Sequence, residues 1–383
     1  MRLIDSIMRR MGLKSRWEIW LDDPKGQRLA LLERAVSFWI QRVENEIGAF
    51  QVVLPGSVYD NLLRLDGMVE FWRAPAGGSL GLEGVGLARV FDYADDENGL
   101  EYTVIEGPDQ NDLLGRRIVA YAAGTAYASK ADYADDLIKA IWSENYGSSA
   151  TDSDRDLSGL GLSVQADSSL GESITKGFSW RDALKTIQEV AQASAQAGTA
   201  VYFDLVPYLV SNSQIGFRFM TTTGQLGIDH TASSGSPAFF GKMWGNLNKG
   251  RLRVDYWDEA TVVYAGGQGE GSSREIVELE DTNRSKASIW NRREIFADAR
   301  NESTTAGVTA KARAVLEENK PRKTLGGDLL DTPQTRYGRD WHFGDKVTID
   351  HRGQQYDARV TSVRVGLDSN KAEIFEARYE VDE

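Results

Sequence analysis

Short runs of alternating apolar and polar residues, cut at close intervals by turn-forming dipeptides, constrain this chain more than any other feature. Phe50–Gln51–Val52–Val53–Leu54–Pro55 is strand-like and stops at Pro55–Gly56. Asp66–Gly67 precedes Met68–Val69–Glu70–Phe71–Trp72–Arg73, and Asn98–Gly99 joins the run Leu87–Tyr93 to Glu101–Gly107. Period-two alternation sends successive side chains to opposite faces of a strand, and Asp-Gly or Asn-Gly supplies the positive φ that a tight hairpin needs. Further strands are expected at Trp17–Leu21, Ala30–Leu32 and Phe38–Ile40, with Gly77–Gly86 as a Gly-rich loop. The pattern returns near the C-terminus, where Gly344–Ile349 turns at Arg352–Gly353 into Tyr356–Val365 and Ala372–Tyr379 closes the series. Many short strands with close turns predict an antiparallel barrel, closed or nearly so.

Between these ends the hydrophobic period changes. In Asp132–Tyr146, Leu137, Ile138, Ile141 and Trp142 share a helical face, with Asn145–Tyr146–Gly147 as the stop. Ser179 is the expected N-cap of a helix running to Ala197 and ending at Gly198. Thr151–Ser169 is polar and Gly-rich, a surface loop, while Ala200–Val206 and Gln214–Thr221 read as strands. Thr261–Ala265 runs into the hairpin tip Gly266–Gly271, from which Arg274–Leu279 returns. Thr305–Asn319 is a helix. The expected class is α+β, mainly β, with two similar antiparallel β-barrel domains flanking a middle α/β region. The expected boundaries are a leader over 1–16, a first barrel over 17–118, a helix/strand region over 119–250, and a second barrel over 251–383 carrying the helix 305–319.

Two segments echo one another. Asp66–Gly67–Met68–Val69–Glu70–Phe71–Trp72 and Ala88–Arg89–Val90 match Gly344–Asp345–Lys346–Val347–Thr348–Ile349 and Ala358–Arg359–Val360. Each has a Gly/Asp turn, a strand with alternate apolar residues, and a return strand containing Ala-Arg-Val. The echo predicts a duplicated barrel, one copy at each end. Three chains with two similar barrels each form a ring of six quasi-equivalent positions.

Composition narrows the chemistry. With no cysteine, the chain has no disulfide, thiolate zinc site or cysteine nucleophile. Lys plus Arg number 44 against 57 Asp plus Glu, a net charge of −13, and no basic block marks a nucleic-acid grip. No apolar run approaches the ~20 residues of a membrane helix. No phosphate loop, HExxH or GxSxG motif occurs. Asp152, Asp154 and Asp156 have the opening spacing of a calcium loop, but Leu157 stands where the turn needs Gly, and Ser163 where a bidentate Glu belongs. Asp95–Asp96–Glu97 and Asp135–Asp136 are adjacent carboxylates read as solvated faces, not an acid–base pair. His230 and His342 read as turn or packing histidines, and Asp345 as a turn carboxylate taking backbone N–H groups. No catalytic, cofactor or metal site is expected. Of ten tryptophans, most belong in the core and a few anchor an interface.

The chain resembles the tail hub (baseplate hub) proteins of tailed bacteriophages, of the siphophage tail-tip type. Four segments carry the resemblance. They are Trp17–Glu18–Ile19–Trp20 through Ala49–Pro55 to Val69–Glu70–Phe71; Val104–Asp109 with Leu113–Ile118; Val262–Gly269 with Arg274 and Asn291–Phe296; and Tyr337–Gly338–Arg339–Asp340–Trp341 to Gly344–Ile349. Met1–Arg16 falls outside it. The resemblance implies a homotrimer whose paired barrels make a pseudo-sixfold ring at the tail tip of the virion. It implies a hexameric distal tail protein on one side, tail-tip or fibre proteins on the other, a hold on the tape-measure protein, and DNA only in transit. It carries over no catalytic residue. Because the chain ends at Glu383 just after its closing strand, no hydrolase extension is expected. Asp95, Asp96, Glu97, Glu278, Glu280 and Asp281 are the expected lumen-facing acids, repelling DNA over ~10 Å. The alternative is a tail-associated carbohydrate-binding or cell-wall-degrading module that uses its aromatics as sugar platforms.

Overall fold

The computed structural model describes residues 14–120, 128–150, 152–178, 180–302 and 304–381, with the backbone alone at 128 and 129. Most of the expected leader and the expected cap Ser179 lie outside the described residues. The chain divides into two units, one comprising the residues up to Gly250 and from Gly327 onward, the other Arg251–Gly326. This division differs from the expected boundaries because strands from both end segments share one sheet.

That sheet belongs to the first unit and has nine strands. Its main path is β14 (Asp229–His230), β21 (Lys346–His351), β22 (Gln354–Leu367), β3 (Ser37–Val43), β4 (Ala49–Pro55), β8 (Glu101–Pro108) and β7 (Val90–Asp95). Off the path, β15 (Phe239–Gly241) pairs with β21, and β23 (Glu373–Val381) with β22. In β3 and β4 alternation does what it should, burying Phe38 and Ile40, then Phe50, Val52 and Leu54. The sheet is open among the described residues, and the expectation of two closed barrels is corrected on that point. The physical reason is β22. It is long enough to bond β21 over its first half and β3 over its second, so the two ends merge.

A second sheet, β2 (Arg28–Leu31), β1 (Arg16–Asp22), β5 (Met68–Ala74) and β6 (Gly81–Leu87), packs on the first through aromatic edges. Phe71 lies 5.8 Å from Phe50 and 6.3 Å from Phe38. The stretch expected to be a loop over 77–86 is half strand. Its glycines serve close approach rather than flexibility. A Cβ on Gly86 would fall 2.1 Å from the Phe50 ring, and one on Gly84 2.7 Å from Ile40 Cδ1. The run 87–93 is likewise not one strand, since the chain changes sheets at Ala88–Arg89 between β6 and β7.

The middle of the unit packs α1 (Ala134–Tyr146) and α2 (Ala183–Ala197) on a three-stranded sheet of β10 (Leu162–Val164), β13 (Gln214–Thr223) and β12 (Val201–Ser211). A hairpin-like pair of β9 (Ala128–Tyr133) and β11 (Ser173–Phe178) flanks them. Trp142 stacks on Phe219 at 5.5 Å, and the predicted face of Leu137, Ile138 and Ile141 is buried. The observed cap of α2 is Asp182, whose carboxylate accepts the Lys185 N–H, and Gly198 ends the helix at φ 126°. Asp135 and Asp136 are buried rather than solvated, a correction explained by their partners. Lys139 lies 2.9 Å from Asp135, and the carboxylates accept the N–H groups of Ser168, Ser169 and Leu170. They thereby pin the expected surface loop to the start of α1.

In the second unit, β17 (Val262–Gly266) runs antiparallel to β18 (Ile276–Glu280) and parallel to β19 (Glu294–Asp298). Helix α3 (Thr305–Glu318), capped by the Thr304 hydroxyl, buries Val308 and Ala312 in a core with Val263, Ala265 and Ala297. The strands β16 (Leu247–Asp255) and β20 (Arg322–Leu329) pair as the ribbon that leads into and out of this unit.

Two expectations follow. Gly86→Ala must push apart two packed sheets, and should lower stability by about 1–3 kcal/mol in denaturant unfolding. Asp109 is 1% exposed, and its burial beside Asp204 pushes its carboxyl up to about 7. Folding therefore binds a proton there between the unfolded value near 4 and about 7. The stability this group contributes is full below pH 4 and is lost as pH rises through 7, at most roughly 1.4 kcal/mol per pH unit. Asp109→Asn should flatten the fall in stability between pH 4 and pH 7 in thermal melts. An unchanged slope would contradict the assignment.

Candidate assembly site

The echo in the sequence is a duplication of backbone pairing. In the first half β5 pairs with β6 as Met68↔Leu87, Val69↔Gly86, Glu70↔Val85 and Phe71↔Gly84. In the second half β21 pairs with β22 as Lys346↔Arg359, Val347↔Ala358, Thr348↔Asp357 and Ile349↔Tyr356. The outgoing strands are offset by 346 − 68 = 278 and the return strands by 359 − 87 = 272. The turn bonds match as well: Asp66 N to Ala88 O and Ala88 N to Gly67 O correspond to Gly344 N to Val360 O and Val360 N to Asp345 O.

The correspondence continues through the next hairpin. Val90↔Glu106 through Asp95↔Glu101 in β7 and β8 correspond to Ser362↔Arg378 through Leu367↔Glu373 in β22 and β23, again offset by 272, as 362 − 90 and 378 − 106. The isolated bridge Gly86↔Asp109 matches Ala358↔Val381. The break at Ala88–Arg89 falls where β22 carries a bulge between Val360 and Ser362. The structural match places Ala88 with Val360, so the Ala-Arg-Val likeness in the sequence is two residues out of register. The duplicated element itself is present.

The halves differ at one edge. The second half of β22 is covered by β3, from Ser362↔Val43 to Leu367↔Phe38. The equivalent edge of β7 ends the sheet. Val90 and Tyr93 on this strand are 49% and 57% exposed.

The second unit presents a different surface. Tyr256, Trp257, Ile289 and Trp290 are exposed by 56%, 81%, 89% and 85% on two adjoining loops. Arg293 donates to the Trp257 carbonyl, Asn291 to Glu259, and Thr261 Oγ1 to the Asn291 carbonyl. The loops are thus braced while the indoles stay outside. Exposed tryptophan beside arginine is the composition of interface hot spots. The sequence signal for this patch was available, because both tryptophans stand among polar residues outside any periodic run. Sequence reading allowed for such anchors without locating them.

The sequence-predicted acids divide. Asp95, Asp96 and Glu97 are exposed at the β7–β8 turn, where the Asp96 carboxylate accepts the N–H groups of Asn98 and Leu100. Those N–H groups hold the Asp96 carboxyl below its usual range. Glu278, Glu280 and Asp281 belong to the second unit and are tied into ion pairs. Arg292 joins Glu278 at 2.8 Å and Glu280 at 3.2 Å, and Arg284 joins Asp281 at 2.7 Å. At the calcium-like spacing, Asp152 accepts the Asp154 N–H and Asp156 accepts the Ser158 N–H, while Asp154 stands at the intervening 3-10 turn. Among the described residues no three His, Asp or Glu side chains converge to hold a metal ion.

Asp345 takes the Ile228 and His342 N–H groups, each at 2.6 Å, and is 2% exposed, which is the turn role the sequence assigns it. The Asp345 carboxylate also lies 3.7 Å from His342 Nδ1 and raises the imidazole above its ordinary value. His230 Nδ1 lies 2.6 Å from the Ser236 carbonyl. Arg42, Asp204, Leu226 and Phe343 line a small cleft. There Arg42 pairs with Asp204 at 2.6 Å and lies over the Phe343 ring, so its charges are already spent on each other.

The comparisons with known proteins agree with this architecture. The fold is similar to a 43 kDa tail protein of prophage MuSo2 from Shewanella oneidensis, at TM-score 0.57 and 12% identity over 97% of this chain and 98% of that one. It is similar to a tail protein from Neisseria meningitidis MC58, at TM-score 0.55 and 12% identity over 97% of each chain. It is also similar to prophage tail protein gp18 from Listeria monocytogenes EGD-e, at TM-score 0.54 and 12% identity over 96% and 94%. No curated protein matches the sequence. The family model that matches, over residues 16–378, is that of the siphovirus ReqiPepy6 Gp37-like protein. The chain belongs to this siphovirus ReqiPepy6 Gp37-like family, and its fold is similar to that of phage tail proteins.

Proposed function

We propose that the chain is the structural hub of a phage tail tip. Three copies form a pseudo-sixfold ring that ends the tail tube, meets a hexameric distal tail protein on one side and tip or fibre proteins on the other, holds the tape-measure protein, and lets DNA pass on ejection. The single observation that carries this reading is the duplicated pairing of β5–β8 and β21–β23. A chain with two equivalent sheet elements needs only a threefold assembly to match a sixfold partner. The hub performs no chemistry, and its work is done by surfaces. The braced patch of Trp257 and Trp290 supplies a contact to a neighbouring tail protein. The acids at 95–97 keep an exposed charge suited to a wall that repels DNA, whereas Glu278, Glu280 and Asp281, bound to arginines, add less to such a wall.

Native mass spectrometry of the chain released from tails should give a trimer, and a dimer or hexamer would overturn the reading. Trp257→Ser with Trp290→Ser should change stability by no more than ~0.5 kcal/mol, because both side chains are exposed, yet stop tail-tip assembly. The second reading, a carbohydrate-binding module, rests on the same indoles. It requires the isolated chain to bind cell-wall glycans in calorimetry and to lose that binding in the double variant, with tails assembling normally.

A further inference from the structure

Two adjacent arginines of the first unit carry charge that no carboxylate answers. Their neighbour Arg116 is spent, lying 2.8 Å from Asp66 and 2.5 Å from Asp112. Arg117 is half-buried over the Tyr146 ring, 5.1 Å from its centroid. Its Nη1 donates to the carbonyls of Asn145 and Arg155, and its Nε and Nη2 groups have no partner. Arg155 reaches the same asparagine. Its Nη2 donates to Asn145 Oδ1 at 2.8 Å and to the Ile118 carbonyl at 2.7 Å, while its Nε is buried with no hydrogen-bond partner. Among the described residues neither guanidinium forms an ion pair.

Two full positive charges therefore meet at Asn145. The C-terminus of α1 lies there, and its carbonyls offer only about half a negative charge. Burial, with Arg155 beside it, pushes the Arg117 guanidinium below its ordinary value. The acids closest in the chain are engaged elsewhere. Asp182 caps α2 through the Lys185 N–H, and Asp152 and Asp156 accept the Asp154 and Ser158 N–H groups. The adjoining stretch 121–127 contains no acid.

We propose that Arg117 and Arg155 together bind one small oxyanion, a carboxylate or phosphate group. The planar guanidinium fork matches the oxygens of both, and the open N–H groups supply the donors. This goes beyond the hub reading and does not depend on the ring. Asp152, Asp154 and Asp156 are exposed around Arg155 and repel a polyanion, so the ligand is a single group and not a nucleic-acid backbone. Two sources supply such a group: an anion free in solution, or an acidic side chain of a neighbouring tail protein.

Phenylglyoxal, which modifies open guanidiniums, tests the site when its adducts on the full chain are located by mass spectrometry. Arg117 should react in sodium chloride. Sodium phosphate at the same ionic strength should slow that reaction about tenfold once it reaches roughly ten times its dissociation constant. Arg313, exposed on α3, should react equally in both salts. Arg155→Gln should abolish the phosphate protection of Arg117. If that variant does not fold, Arg155→Lys, which keeps the charge and loses the fork, should weaken the protection instead. Equal reaction of Arg117 in phosphate and chloride overturns the site, as does protection that survives in a folded Arg155 variant. Protection by duplex DNA stronger than by phosphate at equal phosphate concentration also overturns the assignment to a small anion. Assembled tails then separate the sources. Arg117 protected in tails without added phosphate supports a partner's carboxylate, and protection that still needs phosphate supports the free anion. A chain that proves not to be trimeric overturns the hub reading and leaves this site standing.

Discussion

The backbone hydrogen bonds of β22 hold the first unit together. One strand bonds β21 over its first half, β3 over its second and β23 along its far edge. The bulge between Val360 and Ser362 lets one strand change neighbours without losing the far-edge ladder. In the first half the same task is done by a break at Ala88–Arg89, and the chain moves from the four-stranded sheet to the nine-stranded one. A single topological device therefore appears twice, once as a bulge and once as a gap.

Packing fixes the sheets around that device. Phe38, Phe50 and Phe71 fill the space on the first side, and Tyr337, Trp341, Phe240 and Phe375 form a second cluster with centroids 5.1–5.6 Å apart. Arg73 links the two halves. It is 1% exposed, leaves β5, bonds Glu373 at the start of β23 at 2.6 Å and donates to the Tyr337 carbonyl. A buried guanidinium without these acceptors would cost several kcal/mol, so the pair ties the register of one hairpin to that of the other more than it adds net stability.

Much of this was legible in residues. Alternation in 50–55 and 101–107 located β4 and β8, and Leu137, Ile138, Ile141 and Trp142 located α1 and its buried face. The duplicated hairpin was legible from Asp66–Gly67 and Gly344–Asp345, although the matched Ala-Arg-Val pointed two residues away from the structural alignment. What was missed depended on contacts distant in sequence. Gly84 and Gly86 look like loop residues until Ile40 and Phe50 are placed over them. Asp135 and Asp136 look solvated until Lys139 and the N–H groups of 168–170 close on them. Glu278 and Glu280 look like free acids until Arg292 lies between them. The merging of the two end segments was invisible because β22 is bonded to β3 by backbone groups, which no side-chain pattern records. Short edge elements such as β14 and β15 carry too few residues for any period to register.

In the proposed hub, symmetry joins the fold to its use. The chain belongs to a siphovirus Gp37-like family and its fold is similar to that of phage tail proteins, and the duplication is the feature on which the proposed match to a sixfold neighbour rests. The most direct measurement is a cryo-electron microscopy map of the intact tail tip refined with threefold symmetry alone. The account predicts that the hairpins 66–108 and 344–381 alternate around the axis at the same height and radius, about 60° apart. Hairpins at different heights or radii, or a ring built from any number of copies other than three, would contradict it.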